Sequence, residues 1–230
     1  MRTRTRLGYT GIFLFALFFH SLALAQDKPY SLSISGSYST SSELFYNIDD
    51  PNQADQFLAI DDIFGFGVDV RRRIGGDEVQ VGLSIEYLSK LEPYVQPAMT
   101  DSIGFADGFT AIPIELTGYF VIPFSSDRVQ LYMGGGAGLY LGSRQYHYGN
   151  EREQTLERKP GFGIHILSGI QYSLNPSFAL RSEVKFRNVQ FETTDMIPTP
   201  SAGYLTFLQQ TSSRVMIDGM TFTLGVVFLF

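Results

Sequence analysis

The last stretch of the chain, Met220 to Phe230, alternates strictly, with Met220, Phe222, Leu224, Val226, Phe228 and Phe230 on one face of an extended backbone and Thr221, Thr223 and Gly225 on the other. A continuous apolar face backed by small polar residues suits lipid outside and a crowded lumen inside. The same period of two recurs along the chain and predicts further strands at 30–38, 63–71, 79–87, 109–122, 129–141, 162–172 and 178–187. In the second of these, Phe64, Phe66, Val68 and Val70 oppose Gly65, Gly67, Asp69 and Arg71. In the third, Val79, Val81, Leu83, Ile85 and Tyr87 oppose Gln80, Gly82, Ser84 and Glu86. Pro113 lies within the fourth, where its missing N–H predicts a bulge or a strand end.

The connections sort by parity. Those at 74–77, 123–128 and 175–177 are short turns, whereas roughly 40–60, 89–108, 143–160 and 192–214 read as long loops. The Gly75-Gly76 pair suits a tight hairpin, because glycine reaches positive φ without steric cost. Alternating short and long connections fit a barrel with short turns on one side of a membrane and long loops on the other. Lipid leaves no partner for an open sheet edge, so the expected fold is a closed, all-β, eight-stranded antiparallel up-and-down transmembrane barrel. An even strand count places both termini on the short-turn side.

The amino-terminal segment behaves differently. Arg2, Arg4 and Arg6 precede an apolar stretch from Gly11 through Phe19, and Ala23-Leu24-Ala25 follows. That order reads as a secretory signal peptide over 1–25, with Ala23 and Ala25 at the cleavage site, Gln26 as the first mature residue and one barrel domain over 26–230. The apolar core is too short for a comfortable spanning helix.

Net charge is −6 and becomes −9 once the three leader arginines are removed, which argues against a nucleic-acid-facing surface. Cysteine is absent, so disulfides, a thiol nucleophile and cysteine-bound metal are excluded.

The terminal Phe222–Phe230 strand, with Phe222, Leu224, Val226, Phe228 and Phe230 as an assembly signal, resembles the ending by which bacterial outer-membrane barrels are recognised by the barrel-assembly machinery. The stretches Ile112-Pro-Ile-Glu-Leu-Thr-Gly-Tyr-Phe120 and Leu131-Tyr-Met-Gly-Gly-Gly-Ala-Gly-Leu-Tyr140 are similar to paired strands of the small OmpA, OmpX, OmpW and opacity-type outer-membrane barrels. The resemblance implies a bacterial outer membrane location, reached through a Sec-type signal, and contact with lipid and lipopolysaccharide. That fold hosts adhesins, pores and lipid enzymes, so the function has to come from the residues.

Three functions are weighed. The first is a structural or surface-interaction protein: a monomer with a filled lumen, whose external loops engage an extracellular ligand. Inward parity places Arg71, Glu86, Glu115, His165, Arg181, Glu183, Lys185 and Arg187 in the lumen, with Tyr119, Tyr132 and Tyr140 among them. Eight strands leave an interior just wide enough for side chains, so a network of ion pairs filling it is expected. The second is a small-solute or hydrophobic-compound channel through the same lumen. The third is a lipid A-modifying enzyme. Beyond the leader, His147 and His165 are the histidines available, and Ser168 stands three residues from His165 on the opposite face, so no triad and no catalytic residue is assigned.

No cofactor or metal site is expected. Gly134–Gly138 lacks the lysine and context of a phosphate loop and reads as relief for bulky neighbours. Asp49, Asp50 and Asp55 lack the glycine and spacing of a calcium loop. Phe45, Tyr46, Tyr94, Tyr146 and Tyr148 cluster in predicted loops, as a receptor-facing surface or as girdle residues at the membrane boundary.

Overall fold

The computed structural model describes residues 28–74, 76, 78–94, 105–123, 126, 128–148, 151–200 and 206–230, so the leader and its residues Ala23, Ala25 and Gln26 lie outside the described residues. The strands are β1 (Tyr30–Phe45), β2 (Phe57–Arg73), β3 (Val79–Tyr94), β4 (Phe105–Val121), β5 (Val129–Tyr148), β6 (Glu151–Arg152), β7 (Gln154–Lys159), β8 (Gly161–Asn175), β9 (Phe178–Pro200), β10 (Thr206–Ile217) and β11 (Met220–Leu229).

All pairings are antiparallel. They run β1–β2–β3–β4–β5–β8–β9, and β9 then pairs with β10 and β11, which return to β1. The two short strands are accessory, β6 extending the pairing of β5 and β7 that of β9. Because β10 and β11 share one position, the ring has eight strands.

Its seam is closed by backbone: Tyr30 N–H donates to the Phe230 carbonyl and Phe230 N–H to that of Tyr30, each at 3.0 Å. The rings of the same two residues stack at 6.0 Å between centroids. Among the described residues no strand of the spanning section is left without a partner on either side, as lipid requires.

At the short-turn end, Ile74 N–H reaches the Val79 carbonyl at 2.9 Å across a hairpin in which Gly76 has φ of 105°, a conformation that favours glycine. At 175–177, Asn175 Oδ1 accepts from the N–H groups of Ser177 and Phe178 at 2.8 and 2.9 Å, the local bond that makes asparagine a turn residue.

The long-loop end departs from the sequence reading. β1 and β2 extend to Phe45 and from Phe57, β3 and β4 to Tyr94 and from Phe105, β5 to Tyr148, and β9 and β10 occupy most of the predicted 192–214 loop. The strands therefore continue well past the apolar band. Its outer edge is drawn by Tyr38, Phe64, Tyr87, Ile112, Leu141, Phe162, Phe186 and Met220, all on the outside of the ring.

Pro113 also departs from expectation, since β4 runs through it without a bulge. Its pairing with Tyr140 is intact, and the ladder to β3 lapses between Ile85↔Ile114 and Leu88↔Ala111 before resuming in the same register. The proline's missing donor costs ladder contact on one side only.

The irregularity sits elsewhere. Against β9, β10 and β11 keep one register, but against β1 the partners pass from Ser39↔Thr221 to Glu43↔Met216, one extra residue on the β10–β11 side. At that level Asp62 of β2 has φ of 54°, and inward parity switches, so that Ser39 and Ser42 of β1, like Ile60 and Ile63 of β2, all point inside. Bulges of this kind re-aim side chains.

Candidate functional site

Within the ring the lumen is layered, and β9 reads the layers in order. Arg181, Glu183, Lys185 and Arg187 project inward at the height of the apolar band, then Val189 and Phe191, then Thr193 and Asp195.

The charged layer brings together all eight residues placed in the lumen from sequence, and adds Asp69. On the short-turn side, Asp69 Oδ1 takes Arg71 Nε and Arg181 Nη1, both at 2.6 Å. Arg71 Nη2 meets Glu183 Oε1 at 2.5 Å, its guanidinium lies 3.8 Å from the centre of the Tyr119 ring, and the Tyr132 hydroxyl donates to Glu183 at 2.7 Å.

One step further in, Lys185 Nζ bridges Glu86 and Glu115 at 2.7 and 2.6 Å. Arg187 joins the same two carboxylates at 2.5 and 2.9 Å. The Tyr140 hydroxyl donates to Glu115 at 2.5 Å, and His165 Nε2 pairs with Thr117 at 2.8 Å. Arg71, Arg181, Lys185 and Arg187 thus face Asp69, Glu86, Glu115 and Glu183, four cationic side chains against four carboxyl groups.

Such pairing is what a filled lumen requires, because an unpartnered charge there would cost several kcal/mol. Small spaces of about 20 Å³, one lined by Asp69, Arg71 and Glu183 and one below by Tyr30, Arg71 and Gln171, have room for roughly one water apiece.

Above the charges lies an apolar layer that the sequence reading did not foresee. Leu44, Ile60, Ile63, Leu88, Phe109 and Ile217 have no exposed surface, and Tyr140, Val189, Phe191 and Val215 pack with them. The rings of Phe109 and Phe191 meet edge to face at 6.3 Å. Gly142 of β5 lies against the Phe191 ring so closely that a Cβ there would overlap it.

The signal was present in Val189-x-Phe191, which keeps the odd inward parity of β9. It was masked because the outward partners Asn188, Gln190 and Glu192 end the apolar band.

Past this layer the barrel opens into a cavity of about 390 Å³. Its floor is an ion pair that sequence reasoning also missed, since both partners fall in predicted loops. Arg144 of β5 donates Nε to Asp107 Oδ1 at 2.9 Å and Nη2 to Oδ2 at 2.5 Å, while Nη1 reaches Ser213 Oγ at 2.8 Å. Tyr46 and Tyr146, two of the loop aromatics picked out from sequence, flank the guanidinium with ring centres at 5.5 and 5.6 Å. Burial raises both phenol pKa values, and the Asp107 carboxylate raises them further against the opposing pull of Arg144.

The other loop aromatics separate. Phe45 packs on Phe57 at 5.4 Å, and the Tyr94 side chain lies outside the described residues. His147 and Tyr148 fall within the extended β5. Ser168 faces outward while His165 is buried, which leaves them on opposite sides of the barrel wall. Phe222, Leu224 and Val226 of the terminal strand point outward.

Among the described residues no cluster of three or more His, Asp or Glu side chains is arranged to hold a metal. Among the described residues no helix is long and apolar enough to cross a membrane.

Comparison with known proteins agrees with this architecture. No curated protein matches the sequence. Among solved structures, the outer membrane protein OprG from Pseudomonas aeruginosa superposes with a TM-score of 0.58 at 15% identity, over 88% of this chain and 97% of that one. Neisserial surface protein A gives 0.48 at 13% identity, over 87% and 97%. Ail, the attachment invasion locus protein of Yersinia pestis, gives 0.46 at 16% identity, over 89% and 100%. The family model described as the outer membrane protein beta-barrel domain matches residues 11–230, so the chain belongs to that family and is a β-barrel of the bacterial outer membrane.

Proposed function

We propose that this protein is a closed, non-conducting barrel that acts by binding at its external end. The observation that carries this reading is the stacking of a neutralised charged layer and a solvent-free apolar layer across the same lumen, beneath a cavity that opens outward. A channel would need a continuous polar path, and the apolar layer interrupts it. Among the described residues that line the cavity, catalysis has no support, since the Arg144–Asp107 pair is locked bidentately and lies beside aromatics and amides.

In this reading residues 1–25 direct export and are removed, the terminal strand engages the assembly machinery, and the monomer meets lipid and lipopolysaccharide along its apolar band. The test is single-channel recording of refolded chain in a planar bilayer, after a boiled-versus-unboiled gel has confirmed folding. Silence is expected. Discrete, reproducible steps would overturn the closed-lumen reading in favour of solute transport, and a change in lipid A mass on overexpression would overturn the non-enzymatic one.

A further inference from the structure

We infer that the cavity at the external mouth is a binding site for the end group of a neutral saccharide, an inference that rests on the surface-binding reading above. Its volume of about 390 Å³ lies within the range of small-ligand sites, roughly 300–1,000 Å³.

Charge decides the ligand class first. Arg144 and Asp107 are both buried, with side chains 4% exposed, and neutralise each other through two hydrogen bonds, so neither offers an uncompensated charge to an ion. The connection between β1 and β2 that lends Gln53 to the cavity also carries Asp49, Asp50 and Asp55, which disfavours an anionic ligand. An organic cation is disfavoured as well, because the Tyr46 and Tyr146 rings already face the Arg144 guanidinium.

What remains on the walls is aromatic surface beside neutral polar tips. Tyr46, Tyr146 and Phe105 supply rings, whereas Asn47, Gln53 and Gln209 supply amides. Each amide carries both donors and an acceptor, which matches hydroxyl groups that themselves donate and accept. Aromatic faces carry partial negative charge and suit the C–H-rich face of a pyranose ring. A polyhydroxylated ring with one apolar face is the chemistry complementary to both sets.

The walls are also firm. Phe105 and Asp107 stand on β4, Arg144 and Tyr146 on β5 and Gln209 on β10, so little ordering is needed on binding.

The experiment uses refolded full-length mature chain in phosphatidylcholine nanodiscs, with saturation-transfer NMR and titration calorimetry. The probes are glucose, galactose, N-acetylglucosamine and their β-linked disaccharides, and a sulfated disaccharide serves as the charged comparator. Neutral sugars should bind, the sulfated one should not, and Tyr146→Ala and the pair Gln53→Ala/Gln209→Ala should each weaken binding by about tenfold or more. The outward-facing Gln190→Ala should leave binding unchanged, and heat-shifted gel mobility checks that every variant folds.

Two further arms separate sources of the same chemistry: oligosaccharide released from outer-membrane lipopolysaccharide, and an array of animal-cell glycans. Binding in either arm supports the site and says where its ligand comes from.

The inference is overturned if no neutral saccharide binds at millimolar concentration, if the sulfated sugar binds better, or if the cavity variants bind like the parent. Because bilayer recording reads the lumen independently, a silent barrel without saccharide binding removes this inference and leaves the closed-lumen reading standing.

Discussion

The two halves of this barrel are built inside out with respect to each other. In the spanning half, Phe178, Leu180, Val184 and Phe186 of β9 face out and Arg181, Glu183, Lys185 and Arg187 face in. A few residues later on the same strand, with the same inward parity, Asn188, Gln190 and Glu192 face out and Val189 and Phe191 face in. One half solves the problem of a polar lumen in lipid, and the other that of an apolar core in water. A strand can serve both because side-chain direction is set by backbone pleat, while the polarity placed on each face is free to change. The halves should consequently fail in different ways when they are perturbed.

The largest effect is expected in the charged layer. Glu115 holds Lys185, Arg187 and the Tyr140 hydroxyl, so Glu115→Ala strips three buried donors of a partner. Removing one member of a buried network of this kind costs about 3–5 kcal/mol, measurable as a shift in the denaturant midpoint of the refolded barrel. Combining Glu115→Ala with Lys185→Met keeps the layer neutral and should recover part of the loss. A double mutant no more stable than Glu115→Ala alone would show that charge balance is not what matters.

The outer surface gives the next contrast. Leu224 faces lipid near the middle of β11, and Leu224→Arg should cost about 2–4 kcal/mol. Gln190→Arg also faces outward but lies beyond the apolar band, where a surface substitution should stay within about 0.5 kcal/mol. Equal costs at the two positions would mean that the boundary between the halves has been drawn at the wrong height.

The apolar layer offers a smaller and reversible test. Gly142→Ala pushes a methyl group into the Phe191 ring, and overpacking of this sort costs about 1–3 kcal/mol. Phe191→Leu in the same chain should relieve most of that cost, because the two sites are in contact and their effects are not additive. Additive losses would place the strain elsewhere.

The spanning half was legible in the sequence because lipid imposes an apolar face on every strand, and that face repeats eight times with one period. Even the lumen charges could be placed, since Arg71, Glu86, Glu115 and Arg187 all sit opposite unmistakable lipid-facing residues. Asp69 lay on the same face as Arg71 and was passed over, although it binds two arginines.

The external half was not legible for the opposite reason. Its outward residues are mixed and polar, and its inward apolar residues are few per strand. In β1 and β2 the inward parity also switches near Thr40 and Asp62, so alternation read from the membrane side points the wrong way. Leu44 and Ile60 were hidden by that switch, whereas Asp107 and Arg144 keep the inward parity of β4 and β5 and were missed because both fall in stretches that read as loops. Tyr46 and Tyr146 were noticed as aromatics, but their convergence over one guanidinium depends on β1 and β5 being brought across the ring, which no local spacing reveals.

The smallest predicted effect is a pH dependence confined to the external half. Asp195 is buried above the apolar layer, and burial raises its pKa above the ordinary carboxylate value even though the Thr193 hydroxyl, donating at 2.7 Å, pulls the other way. The folded state therefore holds this proton more tightly than the unfolded chain does. Its stabilising contribution is complete below the ordinary aspartate pKa, near 3.8, and is lost as pH rises through the elevated folded value. On acidification from neutrality, amide exchange on β9 and β10 around Asp195 should slow relative to the same amides in Asp195→Asn, which carries no titrating group at that position. The difference should vanish in the spanning half, where Asp195 makes no contact. A pH response that is identical in the two proteins would assign the effect to other carboxylates, and one spread evenly over both halves would show that they unfold as a single unit despite their inverted construction.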